Sequence, residues 1–254
     1  MKQAIALVLM AMGFVSASAQ AHGVNPLGYS DATTDQIKGN VKCYVETTYQ
    51  VDYSRHVVEN GAFVSSIERC YDNNGQILSE RTYDSDGQKL TGTLYQYKDS
   101  VKSVSTTHDA KGERTLQTLY LFTADGVCAR MRFTDAIGVT ISTTEVSHGK
   151  NWSSASEYFK DGESIKKTYK YDNYGNILSI EIDGDSKSET EYTYPLLGER
   201  TKRLPSKATK KENKSKITYV FTYETDNNGN WTKRVTEVDD TPIEVAYREI
   251  TYWE

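Results

Sequence analysis

The histidines and acidic residues of this chain are the first candidates for catalytic chemistry. The histidines lie far apart in the sequence, at His22, His56, His108 and His148. No two of them have the four-residue spacing with an adjacent Glu that marks a zinc hydrolase. His108-Asp109 could act as an acid and base pair, but Asp109 is better explained as a turn residue before Gly112. Because the chain has no Gly-x-Ser-x-Gly elbow and no phosphate-binding glycine loop either, the sequence predicts no catalytic residue.

A metal site and a cofactor site are not predicted either. Asp84-Ser85-Asp86-Gly87 resembles the beginning of a calcium-binding loop, but the ligands that such a loop needs after Asp86 are missing. The three cysteines, Cys43, Cys70 and Cys128, do not have the spacing of a metal motif. We therefore expect no metal ion and no cofactor.

The aromatic residues are the remaining candidates for function, because the sequence holds 19 Tyr and 3 Trp. Rings on a sheet face could stack on sugars or dock another protein. We select Trp231, Tyr252 and Trp253 as the candidate binding residues. The competing interpretation is that the rings pack on each other as cross-strand pairs within the sheet.

A recurring turn phrase must position these rings, and it consists of an aromatic residue, Asp, two variable residues and Gly. Clear copies are 71–75, 83–87 and 171–175, and a degenerate copy is 226–229. Asp at the first turn position can accept hydrogen bonds from later backbone amides, and Gly at the fourth position can adopt the positive φ that the turn requires. The predicted structural turn glycines are Gly75, Gly87, Gly175 and Gly229.

The segments between the turns alternate like strands. Ile217, Tyr219, Phe221 and Tyr223 share one face, with Thr and Val on the other face, which is the period of a half-exposed antiparallel strand. The pattern predicts an all-β fold, an antiparallel β-meander built from repeated hairpins that forms an open or curled single-layer sheet with little helix. The first strand is predicted at 41–49, and the last, 243–253, is predicted to be an exposed edge.

The N-terminal residues 1–19 have the layout of a secretory signal peptide. Lys2 precedes an apolar run from Ala4 to Val15, and Ala17-Ser18-Ala19 supplies a cleavage site. The apolar run is shorter than the roughly 20 residues that a membrane-spanning helix needs, so we expect an exported chain that does not span a membrane. Export permits disulfides, and we prefer a Cys43–Cys70 pair, although buried unpaired cysteines are an equal alternative.

The rest of the chain is predicted to be one domain. Residues 20–38 read as a flexible leader and 39–254 as a single β-repeat domain, with a basic loop near 199–216. Without Lys2 the mature chain has 29 basic and 35 acidic residues, a net charge of −6. A nucleic-acid partner is therefore not expected, because phosphate contacts need a basic surface.

The Tyr-Asp-x-x-Gly-x-Ile/Leu phrases, as in 71–78 and 171–178, resemble the YD repeats of RHS-type proteins. The wider layout, which includes 39–49, 228–234 and 248–252, is similar to that of uncharacterised exported repeat proteins of Bacteroidetes. The resemblance implies a β-repeat architecture and brings no catalytic residue. RHS proteins build closed shells around toxins from very many repeats, and the few copies here do not imply such a shell.

From these observations we expect an exported, non-enzymatic β-repeat protein that acts in binding or scaffolding at the cell envelope, in the periplasm or outside the cell. Its partner would be an envelope protein or a glycan. One alternative is a carbohydrate-binding module that uses the Trp and Tyr rings. The other is an envelope hydrolase, which would need a pocket with converging ionisable groups.

Overall fold

The computed structural model describes residues 35, 37–52, 58–123, 128–173, 176–195 and 204–254. Within these residues the chain forms sixteen β-strands and no helix. In chain order the strands are β1 (Val41–Asp52), β2 (Glu59–Tyr71), β3 (Ile77–Tyr83), β4 (Lys89–Lys98), β5 (Val101–Asp109), β6 (Arg114–Phe122), β7 (Cys128–Asp135), β8 (Thr140–Gly149), β9 (Trp152–Phe159), β10 (Ser164–Tyr171), β11 (Ile177–Asp183), β12 (Lys187–Thr193), β13 (Lys207–Glu212), β14 (Ser215–Thr225), β15 (Trp231–Val238) and β16 (Thr241–Tyr252).

The strands form one closed antiparallel barrel, in which each strand pairs with its neighbours in the chain and β16 pairs with β1. The expected all-β, antiparallel hairpin order is confirmed, but the open or curled sheet is wrong. The last strand is not an edge, because its residues pair with β1 through most of its length, for example Tyr247 with Thr47. Closure satisfies the backbone N–H and C=O groups that two free edges would leave unpaired.

The two faces of the sheet differ in burial. On β1 the alternate residues Tyr44, Glu46 and Thr48 are buried, whereas the residues between them are at least partly exposed. The buried set faces the inside of the barrel, where the concave wall brings side chains together. The inner face therefore includes charged residues.

The turn chemistry predicted from the sequence is confirmed. Gly75, Gly87 and Gly229 have φ values of 75°, 72° and 77°. The preceding Asp accepts two backbone hydrogen bonds at each of these turns. For Asp72, the donors are the amides of Asn74 and Gln76, both at 2.8 Å from Oδ1. Gly175 lies outside the described residues.

Two boundaries drawn from the sequence need correction. Residues 207–212 of the predicted basic loop form β13, which pairs with both β12 and β14, so this basic stretch belongs to the barrel wall. Its lysines lie in a strand because their long chains can reach water or pair across strands, as Lys211 does with Glu191. The prediction of a flexible leader over 20–38 is wrong near its C-terminal end, because Asp35 and Ile37 are buried. Residues 1–34, which include the predicted signal peptide, and 196–203 lie outside the described residues.

The cysteines follow the preferred pairing. Cys43 on β1 lies opposite Cys70 on β2, and the two form a disulfide. Cys128 is free and buried, and its burial raises the pKa of the thiol to about 11. Since the thiolate is the reactive form, Cys128 is not poised to act as a nucleophile.

Gly87→Ala tests the turn assignment. An Ala forced to a φ of 72° is strained, so we expect the free energy of unfolding to fall by about 1–2 kcal/mol. No atom lies within 4 Å of the added Cβ, and the loss therefore reports backbone strain alone. Urea denaturation of both proteins gives the measurement.

The matched control for this substitution is Gly92→Ala in the interior of β4. Its φ is not positive, and the added Cβ meets the flexible end of Lys89, with Cε at 3.2 Å. Its stability should be unchanged or raised by up to about 1 kcal/mol. Equal losses at both positions would contradict the turn assignment.

Candidate functional site

The three candidate binding residues lie near one end of the barrel, but their surroundings differ from those of an open platform. Trp231 is only 3% exposed. The Tyr252 hydroxyl donates a hydrogen bond to Asp226 and accepts one from Asn230 Nδ2 at 2.9 Å. The ring of Trp253 lies 5.0 Å from Lys42 Nζ. All three rings thus have structural partners, and their role in binding stays a prediction.

Trp231 belongs to a charged cluster on the inner face of β1, β15 and β16, which we call the seam network: Glu46, Trp231, Arg234, Glu244 and Arg248. Glu46 Oε2 accepts a hydrogen bond from Arg248 Nε at 3.0 Å, and Nη2 of the same guanidinium lies 2.9 Å from that oxygen. Arg234 Nη2 lies 3.2 Å from Glu244 and 3.7 Å from Glu46. Glu46 and Arg248 are direct cross-strand partners in the pairing that closes the barrel.

The arginines of the seam network also stack on aromatic rings. The guanidinium carbon of Arg248 lies 3.9 Å from the Trp231 ring centroid and 4.5 Å from that of Tyr44. Arg234 lies 5.0 Å from the same Trp231 ring. Cation–π contacts of this kind stabilise a desolvated guanidinium. One face of Trp231 therefore serves the barrel's own packing.

Electrostatics keep the seam network charged. Burial would raise the pKa of the Glu46 carboxyl, but the guanidinium groups of Arg248 and Arg234 lower it below its ordinary value. A lowered pKa in the folded state stabilises the fold above the pKa of unfolded Glu, and this contribution is lost as the pH falls through the folded pKa. Glu46 is thus an ionised partner and not an acid poised for proton transfer.

A second buried cluster lies on β1–β3 around Arg69. Its Nη1 donates to Asp35 Oδ1 at 3.0 Å and to the Tyr44 hydroxyl at 2.9 Å. Its Nε donates to Glu80 at 2.7 Å, and the Tyr71 hydroxyl donates to the other oxygen of Asp35. This cluster, which we call the Arg69 cluster, joins the segment before β1 to the barrel wall.

The rest of the inner face is lined by aromatic rings and hydroxyls. Tyr169 stacks on Tyr171 with ring centroids 6.5 Å apart, and Tyr223 packs against Phe221 at 6.4 Å. On β3, β4 and β5, hydroxyl groups pair across neighbouring strands. Thr82 and Thr91 share a hydrogen bond of 2.7 Å, and Thr93 and Thr107 share one of 3.0 Å. These contacts support the competing interpretation that the rings pack on each other.

The outer face carries charges in cross-strand ion pairs, which we call the outer ion pairs: Glu68–Arg81, Arg130–Glu145, Glu189–Lys211 and Glu224–Lys233. The side chains of Arg130 and Glu145 are 54% and 52% exposed. Glu68 and Arg81 alternate with the buried Arg69 and its partner Glu80, which fixes them on the outer side. Such pairs add little stability, and they place charged side chains on the outer face of several strand pairs.

The exposed Trp152 has a local explanation. It stands opposite Gly149 at the β8–β9 hairpin, and a Cβ on Gly149 would lie 2.3 Å from its Nε1. The indole thus covers a glycine that offers no side chain of its own. Aromatic residues commonly fill such gaps beside glycines in sheets.

The residues that could do chemistry are not brought together. His108 and His148 lie on β5 and β8, and His22 and His56 lie outside the described residues. Among the described residues, no three His, Cys, Asp or Glu side chains are grouped to hold a metal ion. No helix in the same part of the chain is long and apolar enough to cross a membrane.

Sequence reasoning missed the two buried charged clusters. The only signal was the position of Glu46 and Arg69 in strands with apolar or hydroxyl neighbours on the same face, such as Tyr44 and Thr48 beside Glu46. Charged residues at such positions are normally assigned to the exposed face. The pairing of Glu46 with Arg248 follows from the β1–β16 register, which the sequence does not reveal. The pairing of Arg69 depends on Asp35, which the sequence pattern does not place beside the sheet.

Comparison with solved structures finds a similar fold in a porin-like protein from Bacteroides uniformis. The two are 15% identical, the match covers 84% of this chain and 98% of that chain, and the TM-score is 0.57. A porin-like protein from Bacteroides vulgatus is 12% identical over 85% of this chain and 99% of that chain, with a TM-score of 0.42. The Photorhabdus luminescens Tc holotoxin pore is 14% identical over 82% of this chain and 14% of that chain, with a TM-score of 0.27.

The first of these likenesses shows the fold alone. No protein-family model matches the chain, and no curated protein sequence matches it. The resemblance to YD repeats therefore stays a prediction.

Glu46→Gln tests the seam network. The change leaves Arg234 and Arg248 buried with one carboxylate fewer, and we expect the free energy of unfolding to fall by about 3–5 kcal/mol. Glu68→Gln, in an outer ion pair, is the matched control and should cost less than about 1 kcal/mol. Urea denaturation measures both. A Glu46→Gln loss no larger than that of the control would show that the network does not hold the barrel closed.

The buried tyrosines predict a loss of stability at high pH. Burial raises the pKa of Tyr44, Tyr169 and Tyr223 to about 12, whereas an unfolded Tyr has a pKa of about 10. The folded pKa is the higher one, so this stabilisation is complete below the unfolded pKa and is lost as the pH rises through the folded pKa. Urea midpoints should therefore fall from about pH 10 to about pH 12, with tyrosinate absorbance appearing on unfolding. Full tyrosinate absorbance in the folded protein near the unfolded pKa would contradict this assignment.

Proposed function

We propose that this chain is an exported, non-enzymatic barrel of the cell envelope that faces water on its outer wall and acts by binding or scaffolding. The observation that carries the proposal is the distribution of charge between the two faces. The outer ion pairs lie within the strands and not only at the rims. A barrel wall in contact with lipid needs an apolar band about 25 Å tall, and an Arg or Lys at its midplane costs about 2–4 kcal/mol.

The inner face supports the non-enzymatic part of the proposal. The charged groups of the seam network and the Arg69 cluster hold each other and the segment before β1. A general acid or base needs a pKa near the working pH and room for a substrate proton. Glu46 has a lowered pKa and lies between two arginines, which suits a structural ion pair.

A membrane pore is the second candidate, because barrels of about 16 strands can enclose an aqueous channel and the first structural neighbour is described as porin-like. The outer ion pairs favour the water-facing alternative. A glycan-binding role would have to use rings that water reaches. Trp152, at 44% exposure, suits that role better than Trp231 at 3%.

Detergent-free purification followed by liposome flotation and planar-bilayer recording tests the proposal. We expect a monodisperse protein that remains with the aqueous fraction and gives no channel steps, because the outer charges cannot be buried in lipid. The double variant Arg130→Leu plus Glu145→Leu is the matched comparison. It removes one outer ion pair and should keep the fold within about 1 kcal/mol while promoting self-association.

Flotation of the parent protein with the vesicles, together with stepwise conductance, would replace the proposal with a pore. Substrate turnover that a single Asp, Glu or His substitution abolishes would replace it with an envelope hydrolase. A pull-down from envelope extract with the parent protein should retain an envelope protein or glycan.

A further inference from the structure

The Arg69 cluster is built from two parts of different origin. Its receptor groups, Arg69, Tyr44 and Tyr71, lie on the paired strands β1 and β2 and are fixed by the barrel. Asp35 lies outside any strand, in the short segment before β1. Strand pairing therefore positions the receptor groups. The Asp35 carboxylate is instead carried by the segment before β1, which we call the tether.

The contacts to Asp35 are those of a carboxylate-recognition site. One oxygen accepts a hydrogen bond from Arg69 Nη1 at 3.0 Å, and the other accepts one from the Tyr71 hydroxyl. The side chains of Arg69 and Asp35 are 2% and 1% exposed. In such dry surroundings a charge-assisted hydrogen bond is strong, and an unpaired guanidinium is costly.

The guanidinium has further donor capacity beyond Asp35. Glu80 occupies Nε at 2.7 Å and the Tyr44 hydroxyl shares Nη1. Arg69 Nη2 has no hydrogen-bond partner among the described residues. A carboxylate not constrained by a chain could therefore engage both terminal nitrogens in the fork geometry that arginine favours.

The tether itself is held by separate contacts. Asn230 accepts a hydrogen bond from the Lys38 amide at 2.7 Å and donates one to the Lys38 carbonyl at 2.8 Å. The Trp253 amide donates to the Asn40 carbonyl at 2.8 Å. These bonds place the segment across the end of β15 and β16, so loss of the Asp35 side chain alone would not release it.

We propose that Arg69, Tyr44 and Tyr71 form a carboxylate-binding site of the barrel, and that Asp35 is its tethered occupant, which a small free carboxylate can replace. A tethered ligand needs little intrinsic affinity, because its effective concentration is high. The site takes a small monocarboxylate such as formate, since the part of Asp35 that Arg69 and Tyr71 contact is its carboxyl group alone. This inference is independent of the proposed function.

The test uses the full chain with Asp35→Ala. We expect the thermal midpoint to fall by roughly 6–20 °C, because a buried Arg loses one of its carboxylate partners. Sodium formate should then raise the midpoint saturably at constant ionic strength, as expected for a ligand that binds only the folded state. The parent protein should show no such rise, because its site is occupied.

Three controls separate carboxylate binding from other effects. Formamide has the size of formate without its charge, so rescue by formamide to the same extent would reduce the effect to cavity filling and overturn the proposal. Asp35→Asn fills the space and should be destabilised without rescue by formate. Arg69→Met in the Asp35→Ala background should abolish the rescue.

The other possible results also support or overturn the proposed carboxylate site. An unchanged midpoint in Asp35→Ala, or a formate effect equal to that of chloride, overturns the proposal. If Asp35→Ala does not fold in chloride, it is refolded in formate or in formamide. Folding in formate alone supports the site, and failure in both overturns it.

Discussion

The pairing of the last strand with the first is the constraint on which the rest of this structure depends. Each of the other strand pairs joins neighbours in the chain and can form locally, whereas β1 and β16 meet across nearly the whole described sequence. Bringing distant segments together costs chain entropy that only the completed contacts offset. The side chains at this junction must therefore supply both stability and register.

The seam network fits that role through geometry. Glu46 lies opposite Arg248 in the β1–β16 register, and a slip of one strand by one residue would place the two side chains on opposite faces of the sheet. Buried charges are costly when unpaired, so the correct register is the one in which Glu46 forms ion pairs with both Arg234 and Arg248. The Arg248 guanidinium also stacks on the rings of Trp231 and Tyr44. The register must therefore align these rings with Arg248 as well as pair the charges. The network selects a register as well as stabilising it.

Closure also explains the distribution of chemistry between the two faces. The concave side carries buried Tyr and Thr side chains with a few ion pairs, and the convex side carries the outer ion pairs together with exposed apolar side chains such as Leu121. An overall hydrophobic content of 37% suffices because tyrosines contribute much of the inner surface. The segment before β1 completes one end of this inner surface through Asp35 and Ile37.

Local features were predictable from the sequence, because turn chemistry acts over four or five residues. Asp72 with Gly75 and Asp84 with Gly87 define their turns through contacts that involve only the turn itself. Alternation likewise located β1 and β14. The preferred Cys43–Cys70 pair forms the observed disulfide.

Only the tertiary structure decided the features that depend on which strands are neighbours in the closed barrel. Closure paired the predicted edge strand, β16, with β1, and Trp231 is buried in the closed barrel. Pairing with β12 and β14 placed the lysines of 207–212 in the wall as β13. Glu46 and Arg248 are paired on the inner face because their strands, which are remote in sequence, meet where the barrel closes. Arg69 is paired there with Asp35 of the segment before β1 and with Glu80 of the neighbouring strand. A period-2 pattern is the same for an open sheet and a closed barrel, since alternation reports the two faces of a strand and carries no information about whether the first and last strands meet.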